Sequence, residues 1–278
     1  MSARPSHLTS TASFVCPDCK GSLQDLRCST CNVEFVTAGG IPNLLSRQPQ
    51  FASAMRISAV YDDIYTNHEN VWEDQGRPPE FIRYFADVVA GLGTGRILEV
   101  GCGEGILLAA LQGTHKSAID ISARALRKTQ ERTGADGAVA IAERLPFADA
   151  SFDVVVSVGV MEHYIDENAA TTEIARVLAP GGHYVVLLHT AMTGTQSINQ
   201  KVREFIFPRP RPIALAKWLI KKLYHPIHQP VQNRYTVDSA RACLLRNGFT
   251  VKREITLRDR PEPPLGGPHV VLFVARKT

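Results

Sequence analysis

Residues 96–105 read Arg96-Ile97-Leu98-Glu99-Val100-Gly101-Cys102-Gly103-Glu104-Gly105, an apolar run that ends in an acid and then breaks into three alternating glycines. A short apolar run bounded by turn residues suits a strand buried on both faces. The adjoining Ile106-Leu107-Leu108-Ala109-Ala110-Leu111 suits a helix packed on that sheet. Glycines at the bend permit backbone angles that a side chain forbids, and they let a ligand approach the main chain closely. A dinucleotide fingerprint, G-x-G-x-x-G, needs its third glycine where Ile106 stands, so the pattern is G-x-G-x-G preceded by Glu99. Taken alone, it fits any doubly wound nucleotide-binding domain.

Residues C-terminal to the glycine turn narrow the choice. Ser117-Ala118-Ile119-Asp120-Ile121 reads as a second strand ending in an acid, with a helix opened by Ser122 and running to about residue 133. A carboxylate at that strand tip can accept both hydroxyl hydrogens of a ribose. A helix-capping or solvated Asp120 is the competing reading, weakened because Ser122 already suits the cap. A third strand over 137–142 leads into Ala142-Glu143-Arg144-Leu145-Pro146-Phe147 and, shortly after, Ser151-Phe152-Asp153. A fourth strand over 153–160 ends at Met161-Glu162-His163. The turn signal Leu178-Ala179-Pro180-Gly181-Gly182 ends the next helix and delivers a fifth strand over 184–188.

At these residues the chain resembles the class I S-adenosylmethionine-dependent methyltransferases of the type 11-like group, which carry E/D-x-G-x-G-x-G and a D-A-E-x-L-P-F stretch followed by S-F-D. The resemblance covers roughly residues 95–190. It implies an α/β, Rossmann-like doubly wound seven-stranded sheet, with the strands expected over 250–257 and 269–276 as the sixth and seventh, the last antiparallel. It also implies S-adenosyl-L-methionine (SAM) as methyl donor. The cofactor set expected from it is Glu99, Gly101, Cys102, Gly103, Gly105, Asp120, Ile121, Ala142, Glu143 and Ser157. The family's adenine-binding Asp is replaced here by Ile141, which leaves adenine to the backbone around Ala142 and to Glu143. His163, in the Glu-His pair that the family often shows, is a candidate general base or a histidine bonded to backbone.

Four of the six cysteines fall at Cys16, Cys19, Cys28 and Cys31, two C-x2-C knuckles. Two such knuckles complete a closed four-thiolate shell around one structural zinc. A disulfide pair is disfavoured by a reducing compartment, and a redox C-x-x-C would not need doubling. Cys102 and Cys243 read as packing residues. The segment resembles the zinc-ribbon module that fronts some bacterial methyltransferases and the Trm112-like activators of RNA and protein methyltransferases; a stability clip or docking surface with no part in chemistry is the other reading.

The chain of 278 residues divides, on this reading, into a ribbon over 1–45, a linker with cofactor-capping helices over 46–90, and a methyltransferase domain over 91–278. Helices are expected over 54–65 and 79–90. Tyr61 and Tyr65 share one helical face, as pocket lining or as packing. The stretch 190–235 is too long for an ordinary connection and reads as a basic cap insertion. Between Lys201 and Arg234 it holds eight Lys or Arg against one acid, Glu204, in a chain of net charge +4. A helix over 212–225 bearing Trp218 and Lys217, Lys221 and Lys222 suits a substrate lid, a peripheral membrane contact, an RNA contact or a plain solvated surface. No apolar stretch of about 18 residues and no basic-then-apolar leader appears, so a cytoplasmic protein is expected.

The acceptor expected is a small molecule, methylated at O, N or C. An rRNA or tRNA base is the rival, and a non-catalytic SAM-binding scaffold acting through the ribbon is the third reading. The D/N-P-P-Y/F motif used on exocyclic base amines is absent after the fourth strand, and neither Cys102 nor Cys243 has the Pro-Cys setting of cytosine-C5 enzymes.

Overall fold

The computed structural model describes residues 14–67, 79–93, 95–113, 115–190, 230–256 and 270–278. Four short strands come first: β1 (Leu23–Gln24), β2 (Arg27–Cys28), β3 (Val36–Ala38) and β4 (Ile41–Asn43). Helices α1 (Ala54–Asn67) and α2 (Pro79–Ala90) come next. The alternating part is β5 (Arg96–Val100), α3 (Ile106–Ala110), β6 (His115–Asp120), α4 (Ala123–Thr133), β7 (Asp136–Val139), β8 (Phe152–Val158), α5 (Glu167–Val177) and β9 (Leu178–His189). The chain ends with α6 (Val237–Arg246), β10 (Phe249–Thr256) and β11 (Val270–Lys277).

These strands form one sheet in the order β10-β11-β9-β8-β5-β6-β7-β4-β3, with β1 and β2 paired separately. From β9 through β7 the neighbours run parallel, while β11 is antiparallel to both β9 and β10. Seven strands therefore match the doubly wound expectation. The sheet is nine strands wide, however, because β4 joins the β7 edge in parallel through Asn43 and Val139, and β3 folds back on β4. Leu44 N donates to Val139 O at 2.8 Å in the same seam. The end of the N-terminal segment is thus built onto the main sheet.

Side chains alternate across the sheet as period-two geometry requires. Leu98, Val100, Val155, Tyr184 and Val186 pack toward α5 and α6, against Ile174, Val177 and Leu244. Ile97, Val154, Val156 and Val185 face the other way, toward Phe85 of α2, Leu108 of α3 and Leu126 of α4. Burial on both faces explains why β5 and β8 read as unbroken apolar runs. Ser122 caps α4 by accepting from Ala125 N, and Thr236 caps α6 in a reciprocal pair with Ser239.

One expectation changes. Pro180-Gly181-Gly182 does not separate α5 from a strand beginning at residue 184; β9 starts at Leu178, directly after α5. Phe152 pairs with Leu178 and Val154 with His183, so the extra residues of β9 are taken up as an irregularity within the strand, with Gly181 at φ +75°. Most of the basic cap, including Trp218 and the three lysines, and the turn at 258–268 lie outside the described residues. Among the described residues, no helix is long and apolar enough to cross a membrane.

Candidate active site

The strand order reverses direction between β5 and β8, and in open parallel sheets a crevice forms there beyond the carboxyl ends of the strands. A cavity occupies that place. It is lined by Glu99, Gly101, Cys102 and Gly103 from the turn after β5, by Asp120 and Ile121 from the tip of β6, by Ala142 and Glu143, and by His163 and Tyr164 after β8. Tyr61 and Tyr65 of α1 complete the wall.

All three turn glycines have positive φ, at 69°, 53° and 73° for Gly101, Gly103 and Gly105. A Cβ on Gly101 would lie 2.5 Å from Val160 Cγ2, and one on Gly105 2.9 Å from the Cα of Thr129. Gly105 therefore serves the close approach of the α3 start to α4 and does not line the cavity. Ser157 is also outside the lining. It is fully buried on β8, where its hydroxyl and that of Tyr184 stand 2.8 Å apart. A neighbour in sequence of cavity residues, it faces the core.

Asp120 is held from both sides. Gly103 N donates to one carboxylate oxygen and Ser122 N to the other, each at 2.9 Å. The side chain thus stiffens the glycine turn, and it is itself part of the cavity lining. Burial raises its pKa to about 6, against the backbone amides of Ser122, Gly103 and Ile121, which lower it. A ribose donating to this group needs the carboxylate form. With Asp120 in the ribose role that the resemblance implies, SAM affinity is expected to be level above pH 7 and to weaken as pH falls through 6, approaching tenfold per unit below it, with proton release on binding there. Calorimetry in buffers of different ionisation enthalpy measures both.

α1 is latched over the cavity by Asp62, which accepts from Ser122 Oγ at 2.6 Å and from Arg124 N at 3.1 Å. This single carboxylate ties α1 to the start of α4 and brings Tyr61 and Tyr65 down as buried walls. Burial, with the nearby Asp120 and Glu162 carboxylates, holds the Tyr61 phenol well above its ordinary pKa, so it stays neutral. Neither Asp62 nor the apolar wall residues Ile57 and Ile82 carries a sequence signal beyond helical periodicity.

At the other end, Glu143 accepts from Ile165 N at 2.6 Å and from Asp166 N at 3.2 Å. It bridges the adenine side of the expected site to the segment after β8. His163 lines the cavity with Nδ1 2.6 Å from Val231 O. The reading as a histidine bonded to backbone is what the structure shows: the bond orients the ring, and because a carbonyl can only accept, Nδ1 carries the proton and Nε2 does not. A pair that the sequence reading missed stands beside it. His189, at the end of β9, places Nδ1 2.7 Å from Glu162 Oε1. Burial pushes Glu162 up, but the bonds to His189 outweigh it and hold the carboxyl below its usual range. Cys102 is buried, and burial keeps its thiol protonated, which suits a wall and not a nucleophile.

Away from the cavity, the sulfurs of Cys16, Cys19, Cys28 and Cys31 all lie within 4.8 Å of one another. Cys16 and Cys31 are 3.7 Å apart, Cys19 and Cys28 3.4 Å. Thiolates about 2.3 Å from a tetrahedral zinc stand about 3.8 Å apart, so the donor set fits that ion with no position left open.

A family profile described as a methyltransferase domain matches residues 98–186. An O-methyltransferase of Pyrenophora dematioidea is 29% identical over 241 residues, which span 77% of this chain and 82% of that protein. The 27-O-demethylrifamycin SV methyltransferase of Amycolatopsis mediterranei is 30% identical over 155 residues, 49% of this chain and 57% of that protein. Among solved structures, the 1,6-didemethyltoxoflavin-N1-methyltransferase of Burkholderia thailandensis, with bound 1,6-didemethyltoxoflavin and S-adenosylhomocysteine, shares the fold. Its TM-score is 0.56 at 18% identity, over 88% of this chain and 94% of that one. The glycine turn, the sheet order and these similarities together make this chain a SAM-dependent methyltransferase built on the class I fold.

Proposed function

We propose that the enzyme methylates a small molecule at an oxygen atom. The observation that carries this reading is the similarity to an O-methyltransferase over most of both chains. SAM supplies an electrophilic methyl group whose leaving partner is a neutral thioether. Asp120 holds the ribose hydroxyls, Gly101 and Gly103 present main chain to the cofactor, and Glu99 holds the turn or the methionine ammonium. Ile121, Ala142 and Glu143 frame the adenine. Tyr61 and Tyr65 close the cavity against water, which favours transfer from a charged sulfonium to a neutral product. His163 Nε2 takes the proton of the acceptor hydroxyl as the new O–C bond forms.

We assign Cys16, Cys19, Cys28 and Cys31 to one structural zinc in a cytoplasmic protein, where reducing conditions keep thiols available. The division into ribbon, linker helices and methyltransferase domain is retained, with the ribbon as a structural module and not a partner-docking activator. An RNA acceptor and a non-catalytic scaffold are less well supported, since 27-O-demethylrifamycin SV, the substrate named for one relative, is a small molecule.

The test uses SAM carrying a labelled methyl group, incubated with a metabolite extract and separately with total RNA. An ether- or ester-linked label in the metabolite fraction is expected by mass spectrometry; label in RNA, or in neither fraction while SAM binds, overturns the proposal. With the acceptor so found, His163→Ala is expected to slow turnover about 100-fold at neutral pH. An unchanged rate removes His163 from proton transfer.

A further inference from the structure

The N-terminal ribbon does not hang free of the catalytic domain. Its first knuckle lies against the four residues that continue the cavity-lining turn, and all four are engaged. Arg144 donates to Gln48 Oε1 at 2.6 Å, and Gln48 Nε2 in turn donates to the carbonyl of Asp18, between the first two cysteines, at 3.3 Å. Lys20 Nζ donates to Leu145 O at 3.2 Å. Val15 N donates to Pro146 O at 3.0 Å. The ring of Phe14 lies 5.5 Å from that of Phe147.

Glu173 of α5 is the centre of this seam. Its Oε2 accepts from Leu145 N at 2.9 Å and from Lys20 Nζ at 2.7 Å, while Arg176 grips both of its oxygens. Lys20 comes directly after Cys19 and holds φ at +63°, a backbone conformation that side chains rarely adopt. A closed metal knuckle is a device able to hold it there. On the far side of the same turn, Ala142 and Glu143 face the cavity, and Glu143 clamps Ile165 and Asp166.

We propose that Lys20, acting through Glu173, is a positioning residue for the cofactor: the first cysteine knuckle holds the 142–147 turn in place, so SAM affinity depends on an intact ribbon. The physical reason is the cost of order. Without Lys20 the Leu145 carbonyl and the Glu173 carboxylate keep Arg176 as their one shared cation, the tie from this turn to the first knuckle is lost, and the turn gains conformations that binding must then remove. The inference rests on the cofactor reading of the cavity and deepens it. It assigns to the ribbon an effect on binding that a stability clip does not have.

S-adenosylhomocysteine binding to the full chain, measured by calorimetry, decides it. Lys20→Met is expected to weaken binding about tenfold, the effect of one charge-assisted hydrogen bond, with metal content unchanged. Lys20→Arg, which can still donate to Glu173, should recover most of the loss. Removing the metal by chelation should produce a similar loss, and removing it from Lys20→Met should add little, since both act through one seam. A purely structural ribbon would lower the melting temperature in these variants while leaving affinity within twofold of wild type, and that result overturns the proposal. If the metal-free protein unfolds, Lys20→Met and its Arg counterpart decide alone. Failure of wild type to bind S-adenosylhomocysteine would instead count against the cofactor reading itself.

Discussion

Replacing Asp120 by Ala is expected to weaken S-adenosylhomocysteine binding by about 100-fold or more. The side chain has two duties. It accepts the amide hydrogens of Gly103 and Ser122, which sets the shape of the glycine turn, and in the proposed cofactor site it also accepts from the ribose hydroxyls. Two charge-assisted hydrogen bonds at about 1.5 kcal/mol or more each account for that factor. The unliganded fold should suffer less than binding does. A buried carboxylate whose pKa is raised to about 6 destabilises the empty protein progressively as pH rises from its unfolded value through 6, because the unfolded chain releases that proton first. Removing the group relieves that cost while leaving the Gly103 and Ser122 amide donors without their carboxylate acceptor. Asp120→Asn, which retains one acceptor oxygen, should fall between the two. Unchanged affinity in Asp120→Ala at pH 7.5 would remove the residue from cofactor binding.

Replacing Cys28 by Ser is expected to have the largest effect on the N-terminal segment. Cys28 is fully buried, its amide donates to Val33 O, and its sulfur accepts from Thr30 N at 3.4 Å. The core around it consists of little more than Phe35, Leu44 and a few half-buried neighbours. So small a cluster cannot fold a segment of this length, and zinc coordination supplies the missing free energy. Metal analysis should show about one zinc per wild-type chain and almost none in Cys28→Ser. The loss of the seams at Val139 and Leu145 should lower the melting temperature by about 5–10 °C. Cys102→Ser and Cys243→Ser should keep the metal, since both sulfurs lie elsewhere in the core. A wild-type protein that holds well below one zinc per chain, or a Cys28→Ser protein that keeps it, would defeat the four-thiolate assignment.

The elements nearest the cavity were the most legible. Glu99, Gly101, Gly103 and Asp120, which line it, stand out by residue type and spacing, since glycine adopts those angles without strain and a carboxylate at a strand tip can accept both hydrogens of a diol. Helix ends were legible for a similar reason. Ser122 and Thr236 satisfy backbone amides within three residues of themselves. Ser157 shows the converse. It sits in a strand that reaches the site, but its direction is set by the alternation of β8, and the sheet turns it toward Tyr184. Asp62 and the Glu162–His189 pair join residues far apart in the chain, and no local pattern announces such meetings.

The amino-acid sequence by itself determined the class of fold, the position of the glycine turn and the pairing of cysteines into two knuckles, because each depends on contacts within a few residues or on a simple period of burial. Tertiary structure decided that the ribbon continues the sheet past β7, that Asp62 brings two tyrosines over the cavity, and that Lys20 reaches Glu173. Those outcomes depend on which surfaces meet when the chain closes on itself, and that is set by the geometry of packed layers and not by neighbours along the backbone.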